Sequence, residues 1–391
     1  MKICHIINSL DTGGAEIMLS NLLQQLQSPS DVDSCVLTLL QRGELATEVE
    51  SSGARVISLN WMRHGSHPPR LWQLARVLRA LGPDIVQTWL YHSDLMGAIS
   101  RLLLPSATRL IWTIHTCATR PASGIRTSHS VRRMNAFLSR IFPTAIVYVS
   151  EQARLTHEAM GYRKQGGTVI PNGIDTELFT PSESHRTGVR NELKLAPDTP
   201  LVGMLARLHP DKDHRTFLEA AKLLHGRRTD LHFVLAGTNI VPQTPELATM
   251  ISQFGLEHRV HMLGCRRDAA RIHAALDVEV LTTTAQEGFG LVVAEAMACG
   301  VPCVATNSGA LPQVLDDVGF LVEERDAAAV ARSCLALLEL SNDERVRLSQ
   351  RARQRVVTHF SLSKVADRYS ELWRTLLCRR EVASGQSRRA S

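Results

Sequence analysis

No stretch of the 391 residues is apolar for long enough to span a bilayer, and MKICHIINS opens directly on a strand pattern without a signal-peptide layout. A cytosolic chain is therefore the expectation. The eight cysteines are scattered; only Cys299 and Cys303 are close, and neither has a His or a further Cys at zinc spacing. Free thiols are expected, with no metal and no cofactor. The Gly-x-Gly-x-x-Gly that would mark a nicotinamide dinucleotide site does not follow the first strand, nor does an acid end a second strand about 20 residues later. Acidic residues are scarce from Asn60 to Arg140, where eleven Arg face only Asp84 and Asp94. No helix-turn-helix, zinc or aromatic-basic RNA pattern accompanies that charge, so nucleic acid is not the expected partner. An anionic membrane surface or a lipid-diphosphate acceptor suits it.

What remains is a globular composition, 44% hydrophobic and 21% charged, on a chain long enough for two domains. Apolar strand patterns recur at KICHII, SCVLTLL, ARVISL, DIVQTW, RLIWTIH and AIVYVS, separated by helical periods such as LWQLARVLRAL. Strands and helices in alternation imply an α/β fold with a parallel sheet covered on both faces. This first domain is read as residues 1–180. A second α/β domain, 181–360, follows a polar connection holding one short helix, and runs through PLVGMLARL, LHFVLAGTN, HRVHMLGC and DVEVLTTT. Leu362, Val365, Tyr369, Leu372, Trp373 and Leu376 fall at helical spacing in a last helix, 361–377. Residues 378–391 read as a disordered basic tail.

The stretch TTTAQEGFGLVVAEAMACGVPCVA concentrates the chemistry. Glu287 lies in a glycine-punctuated loop and Glu295 inside the short helix that Gly300 and Pro302 end. A rise of about 1.5 Å per residue puts the two carboxylates on the order of 10 Å apart, roughly the span of a sugar diphosphate. Backbone amides near Gly288, Phe289, Gly290 and Leu291, at the positive end of the helix, can seat an anion. Two glutamates flanking a buried helix would look the same, but the loop follows a strand, where open α/β sheets carry ligand sites. Elsewhere Gly13 and Gly14 mark a strand-to-helix turn, His115 ends a strand, and Arg207 and Lys212 sit in a loop. Each taken alone also suits tight turning, packing or surface charge. Two Asp-x-Asp triplets, Asp31–Asp33 and Asp211–Asp213, read as solvated charges. From Ser128 to Phe142, Met134, Phe137, Leu138, Ile141 and Phe142 share one side of a helix, with Arg132, Arg133 and Arg140 elsewhere. That helix suits either a membrane interface or a core with a solvated arginine face.

The pattern EGFGLVVAE, two glutamates separated by seven residues, resembles the donor-site motif of the family-4 retaining glycosyltransferases. GGAE at 13–16, TVIPNGIDTELF and PCVATNSGALPQVL extend the resemblance over nearly the whole chain. It implies a GT-B fold: two Rossmann-like domains facing across a cleft, acceptor side first and donor side second, with the C-terminal helix crossing back to the first. The implied substrate is a nucleotide-diphosphate sugar, without metal, and the implied acceptor a glycan or lipid-linked hydroxyl. By the same resemblance Arg207 and Lys212 hold the diphosphate, Glu295 the ribose, Glu287 the donor sugar, and Gly288 to Leu291 supply amides. Gly14 and His115 complete the cleft from the first domain, and no protein base is implied. Cys265-Arg266-Arg267 departs from the family pattern by adding positive charge near the nucleotide side. A nucleotide-sugar epimerase of the same architecture and a non-catalytic sugar-binding protein are the rival readings. The implied setting is bacterial surface-glycan assembly, with the protein peripheral at the inner membrane face.

Overall fold

In a computed structural model, which describes residues 1–11, 13–26, 32–61, 68–117 and 126–387, the chain divides into two compact units. Met1–Gly173 with Leu362–Ser391 forms one and Ile174–Ser361 the other.

Unit 1 alternates strand and helix in chain order: β1 (Lys2–Ile7), α1 (Gly14–Gln25), β2 (Asp33–Thr38), α2 (Ala46–Ser51), β3 (Arg55–Ser58) and α3 (Pro68–Leu81). Then come β4 (Ile85–Trp89), α4 (Tyr91–Arg101), β5 (Arg109–Ile114), α5 (Arg126–Leu138), β6 (Ala145–Tyr148), α6 (Glu151–Ala159) and β7 (Gly167–Val169). The seven strands lie in the order β3-β2-β1-β4-β5-β6-β7, all parallel. The chain winds outward from β1 to β3, returns to β4 and winds the other way. Right-handed crossovers therefore put α1 and α2 on one face and α3 to α6 on the other. The strand residues of β1, β4 and β5 are almost wholly buried, as a doubly covered sheet demands.

Unit 2 begins with α7 (Glu183–Glu192), β8 (Leu201–Leu205), α8 (His214–His225), β9 (His232–Ala236), α9 (Pro245–Gln253), β10 (Val260–Met262) and α10 (Ala269–Ala275). It continues with β11 (Val278–Leu281), α11 (Leu291–Ala298), β12 (Cys303–Thr306), α12 (Leu311–Leu315), β13 (Gly319–Val322), α13 (Ala327–Leu338) and α14 (Asn342–His359). Its six parallel strands run β10-β9-β8-β11-β12-β13. The polar connection is not a free linker: α7 packs on α10, and Arg190, 1% exposed, donates to Asp277 at 2.8 Å.

The terminal helix α15 (Leu362–Ser387) belongs to unit 1 and runs ten residues beyond the 377 expected, into the stretch read as a disordered tail. Residues 388–391 lie outside the described residues. Val365, Tyr369 and Trp373 are buried against β1 and β4, the face their spacing indicated. Trp373 Nε1 donates to Gln87 Oε1 at 2.8 Å, so its one polar atom is satisfied inside the core.

Candidate active site

In unit 2 the strand order reverses between β8 and β11, and the loops that leave these two neighbours carry the predicted donor residues. That switch point, beyond the carboxyl ends of the strands, is where open α/β sheets bind ligands. Arg207 follows β8 and is exposed; Lys212 follows in the same loop. Lys212 pairs backbone to backbone with Thr283, just after β11, and its Nζ forms an ion pair with Glu287 Oε1. Thr282 and Thr283 hydroxyls donate to the carbonyls of Asp213 and Asp211 at 2.7 and 2.8 Å, stitching the two loops together.

Asp213 caps α8 by accepting from Thr216 N at 3.1 Å, and Asp211 lies 3.3 Å from His209 Nδ1. This triplet is therefore committed within the protein and not merely solvated, while Asp31 of the other triplet lies outside the described residues. Among the described residues no cluster of His, Cys, Asp or Glu could hold a metal ion.

Gly290, with φ at 91°, is the left-handed residue from which α11 starts; a Cβ there would meet Leu311 Cδ2 at 2.4 Å. Phe289 is buried edge-on to Phe360, 5.3 Å between centroids. The loop so held leads into α11 with Glu295 in its second turn, and Gly300, also left-handed, ends the helix region. The first amides of α11 face away from the helix body, as helix geometry dictates.

Two features of the site carried no signal in the sequence. Gly309, φ 58°, lies directly on the Glu287 backbone, and Ala310 N donates to Glu287 O at 2.9 Å. Glu295 reaches back to a buried histidine, His273 Nε2 at 3.6 Å, whose Nδ1 is 3.4 Å from the buried Glu279. Arg266, which read as added charge near the nucleotide side, is bound by Asp268 and Glu192.

In unit 1 the reversal falls between β1 and β4. Gly13 is the extended cap from which α1 starts at Gly14. His115 follows β5 directly, stacked on Trp89 with ring centroids 5.0 Å apart. Trp89 Nε1 in turn donates to His5 Nδ1 at 3.3 Å. Burial pushes the His115 imidazole down to about 4, against the pull of the Asn172 side chain. The ring is thus neutral at physiological pH, suited to hydrogen bonding and not to acting as a cation.

The three arginines of α5 and its extension do not share one environment. Arg132, expected outside, is buried at 3% exposure with its guanidinium 5.7 Å over the Tyr91 ring. Arg133 and Arg140 are exposed. Asn135, Ala136 and Ser139 occupy the inner side, so Met134, Phe137 and Ile141 point outward. Arg63 and Arg120 of the basic window lie outside the described residues.

Two parallel α/β units with candidate ligand loops at their strand reversals are the architecture of GT-B glycosyltransferases. The Anabaena Alr3699/HepE, solved in complex with UDP-glucose, superposes with a TM-score of 0.83 at 23% identity, covering 96% of this chain and 100% of that one. Sucrose-phosphate synthase from Thermosynechococcus elongatus gives a TM-score of 0.77 at 21% identity, over 96% and 99%. Residues 12–178 match the description Glycosyltransferase Family 4, and residues 199–340 match Glycosyl transferases group 1. The chain belongs to this glycosyltransferase family. It is 26% identical, over 78% of each chain, to the UDP-Gal:alpha-D-GlcNAc-diphosphoundecaprenol alpha-1,3-galactosyltransferase of Escherichia coli. To the lipopolysaccharide core biosynthesis mannosyltransferase LpsB of Rhizobium meliloti it is 26% identical, over 81% of this chain and 82% of that one. The match to the N-acetyl-alpha-D-glucosaminyl L-malate synthase of Bacillus anthracis, 29% identical, spans 57% of each chain.

Proposed function

We propose that the protein transfers a sugar from a nucleotide-diphosphate donor to a hydroxyl acceptor with retention of anomeric configuration and without metal. The arrangement of Lys212, Glu287 and Arg207 at the strand reversal of unit 2 carries this reading. Arg207 and Lys212 bind the donor diphosphate and stabilise the charge that develops on the leaving group. Lys212 also fixes the Glu287 carboxylate, which takes donor-sugar hydroxyls, and Glu295 takes the ribose. Amides from Gly288 to Leu291 complete the phosphate seat. From unit 1, Gly14 and His115 serve the reaction, His115 by hydrogen bonding as a neutral ring. The leaving phosphate itself accepts the acceptor's proton, so no side chain is assigned as base.

The acceptor we propose is a lipid-linked or polysaccharide intermediate of bacterial surface-glycan synthesis. The Escherichia coli relative is named for a diphosphoundecaprenol substrate and the Rhizobium one for lipopolysaccharide core synthesis. Support also comes from the α3–α6 face of unit 1, which carries the exposed Trp72, Leu102, Met134, Phe137, Ile141 and Leu155. Arg76, Arg79, Arg133 and Arg140 are exposed among them. Apolar side chains with arginines between them suit an anionic lipid surface. Among the described residues no helix is long and apolar enough to cross a membrane, so the proposed association is peripheral.

A thermal-shift and turnover screen of UDP, GDP and ADP sugars, with and without chelator, tests the donor half on wild type, Glu295→Ala and Arg207→Ala. One nucleotide should stabilise wild type and neither variant, with turnover unaffected by chelation. Donor conversion without acceptor would instead mark an epimerase, and binding without turnover of donor and acceptor a sugar-binding protein. Sedimentation with phosphatidylglycerol vesicles tests the membrane half. Phe137→Asp with Arg133→Ala and Arg140→Ala should stay in the supernatant, and unchanged sedimentation would remove that helix from the account.

A further inference from the structure

The α/β core of unit 2 contains, behind Glu295, a buried His–Glu pair that the reaction above does not use. His273, on α10, is completely buried, as is Glu279 on the central strand β11. The His273 ring lies between two carboxylates, with Nδ1 3.4 Å from Glu279 Oε2 and Nε2 3.6 Å from Glu295 Oε2. Glu279 Oε1 accepts from Leu205 N at 3.1 Å, the last residue of β8 and two before Arg207. One buried carboxylate thus ties the strand that leads to the Arg207 loop to the imidazole that faces Glu295.

A glutamate in the middle of a parallel sheet is costly unless it is paired, and an apolar residue would suit the position better for stability alone. The other groups around the ring leave it to these two partners. Just after α11, the Cys299 thiol donates to Ala270 O at 3.8 Å and burial pushes it up to about 12. On α14, Arg353 donates to the carbonyls of Phe179, Ala298 and Thr176. On α7, Arg186 and Arg190 are both paired with Asp277. The Phe179 ring closes the remaining side, 6.1 Å between centroids.

Resting on the reading of Glu295 as the ribose ligand, we propose that His273 is a positioning residue. Held by Glu279, it keeps the Glu295 carboxylate aimed at the donor's ribose hydroxyls. Burial alone would push the imidazole down, but Glu279 and Glu295 together bring it up to about 9. The ring therefore carries its charge through the physiological range, and the two carboxylates share one cation. Above about 9 that cation is lost and Glu295 faces a neutral ring.

The test compares the tightest binder among UDP, GDP and ADP with its 2′,3′-dideoxy counterpart, by calorimetry from about pH 7 to about pH 10. The ratio of the two affinities isolates the ribose hydroxyls and cancels any titration of the base or general loosening of the site. Wild type should prefer the ribose form, and Glu295→Ala should lose that preference. His273→Gln should lower it about tenfold, as expected when a buried charged partner is removed. In wild type the preference should fall as pH rises through about 9, a readout that needs no variant. Should His273→Gln fail to fold, His273→Leu with Glu279→Leu removes both buried partners together and should show the same loss. If Glu295→Ala abolishes the preference while His273→Gln and high pH leave it unchanged, the positioning role is overturned and the ribose assignment stands. If Glu295→Ala keeps the preference, or no diphosphate binds, both fall.

Discussion

Lys212 Nζ is ion-paired with Glu287 Oε1, although the two residues come from loops that leave different strands of the second sheet. Their side chains are 20% and 17% exposed, so the pair is largely shielded from solvent. Each charge then depends on the other for its partner, and Glu287 has little freedom of its own.

Replacing Lys212 by Ala should lower kcat by about 10² to 10³, the range for losing one preorganised charge at a developing anion. Glu287→Gln should keep diphosphate affinity within a few-fold while lowering turnover. Steady-state kinetics with calorimetric binding of the nucleoside diphosphate checks both. Equal losses of affinity and turnover in Glu287→Gln would place that residue on the diphosphate and not on the sugar.

Gly309→Ala forces a side chain into a left-handed residue whose Cβ would lie 2.1 Å from Glu287 O. Strain of this kind costs of order 1–3 kcal/mol. Because the displaced backbone is that of Glu287, activity should fall more than thermal stability does. An unchanged melting temperature together with unchanged turnover would show that the contact is not required.

Three histidines of unit 1 are held as neutral rings, His5 and His157 fully buried and His115 with both ring nitrogens shielded, and desolvation pushes His5 down to about 3 and His115 and His157 to about 4. Between these values and the ordinary 6.5 the unfolded chain binds more protons than the folded one. Stability therefore falls as pH drops from 6.5 towards 4, by about 1.4 kcal/mol per group per pH unit. Urea midpoints measured across that window should shift down, and His157→Phe should flatten the slope.

Trp373→Ala should destabilise by about 3–5 kcal/mol, the range for emptying a buried aromatic site. It also leaves Gln87 Oε1 without its donor inside the core. The expected result is a large drop in melting temperature. A small change would mean that α15 contributes little to unit 1.

The alternation of apolar strands with helices was legible because it is local: the central strands such as β1, β4 and β5 are buried on both faces and so read as largely apolar runs. The short helix after Glu287 was equally legible, since Gly290 and Gly300 mark its ends by backbone conformations that other side chains resist. The inward face of α15 followed from the 3.6-residue period of Val365, Tyr369 and Trp373. In α5 the same period left an outward and an inward apolar stripe equally open, because periodicity divides a helix into faces without saying which one is inside. There Asn135, Ala136, Ser139 and Arg132 took the interior and the apolar stripe stayed out.

By itself, then, the sequence determined the elements, their alternation and the loops that hold Arg207, Lys212 and Glu287, all of which depend on residues a few positions apart. Only the tertiary structure decided that Gly309 supports the Glu287 backbone, that Arg132 is buried, and that His273 stands between Glu279 and Glu295. A histidine in IHAAL and a glutamate in DVEVL look ordinary where they stand. Their charges matter because α10 and α11 close over β11 and exclude the water that would otherwise solvate them, and no local pattern records that packing.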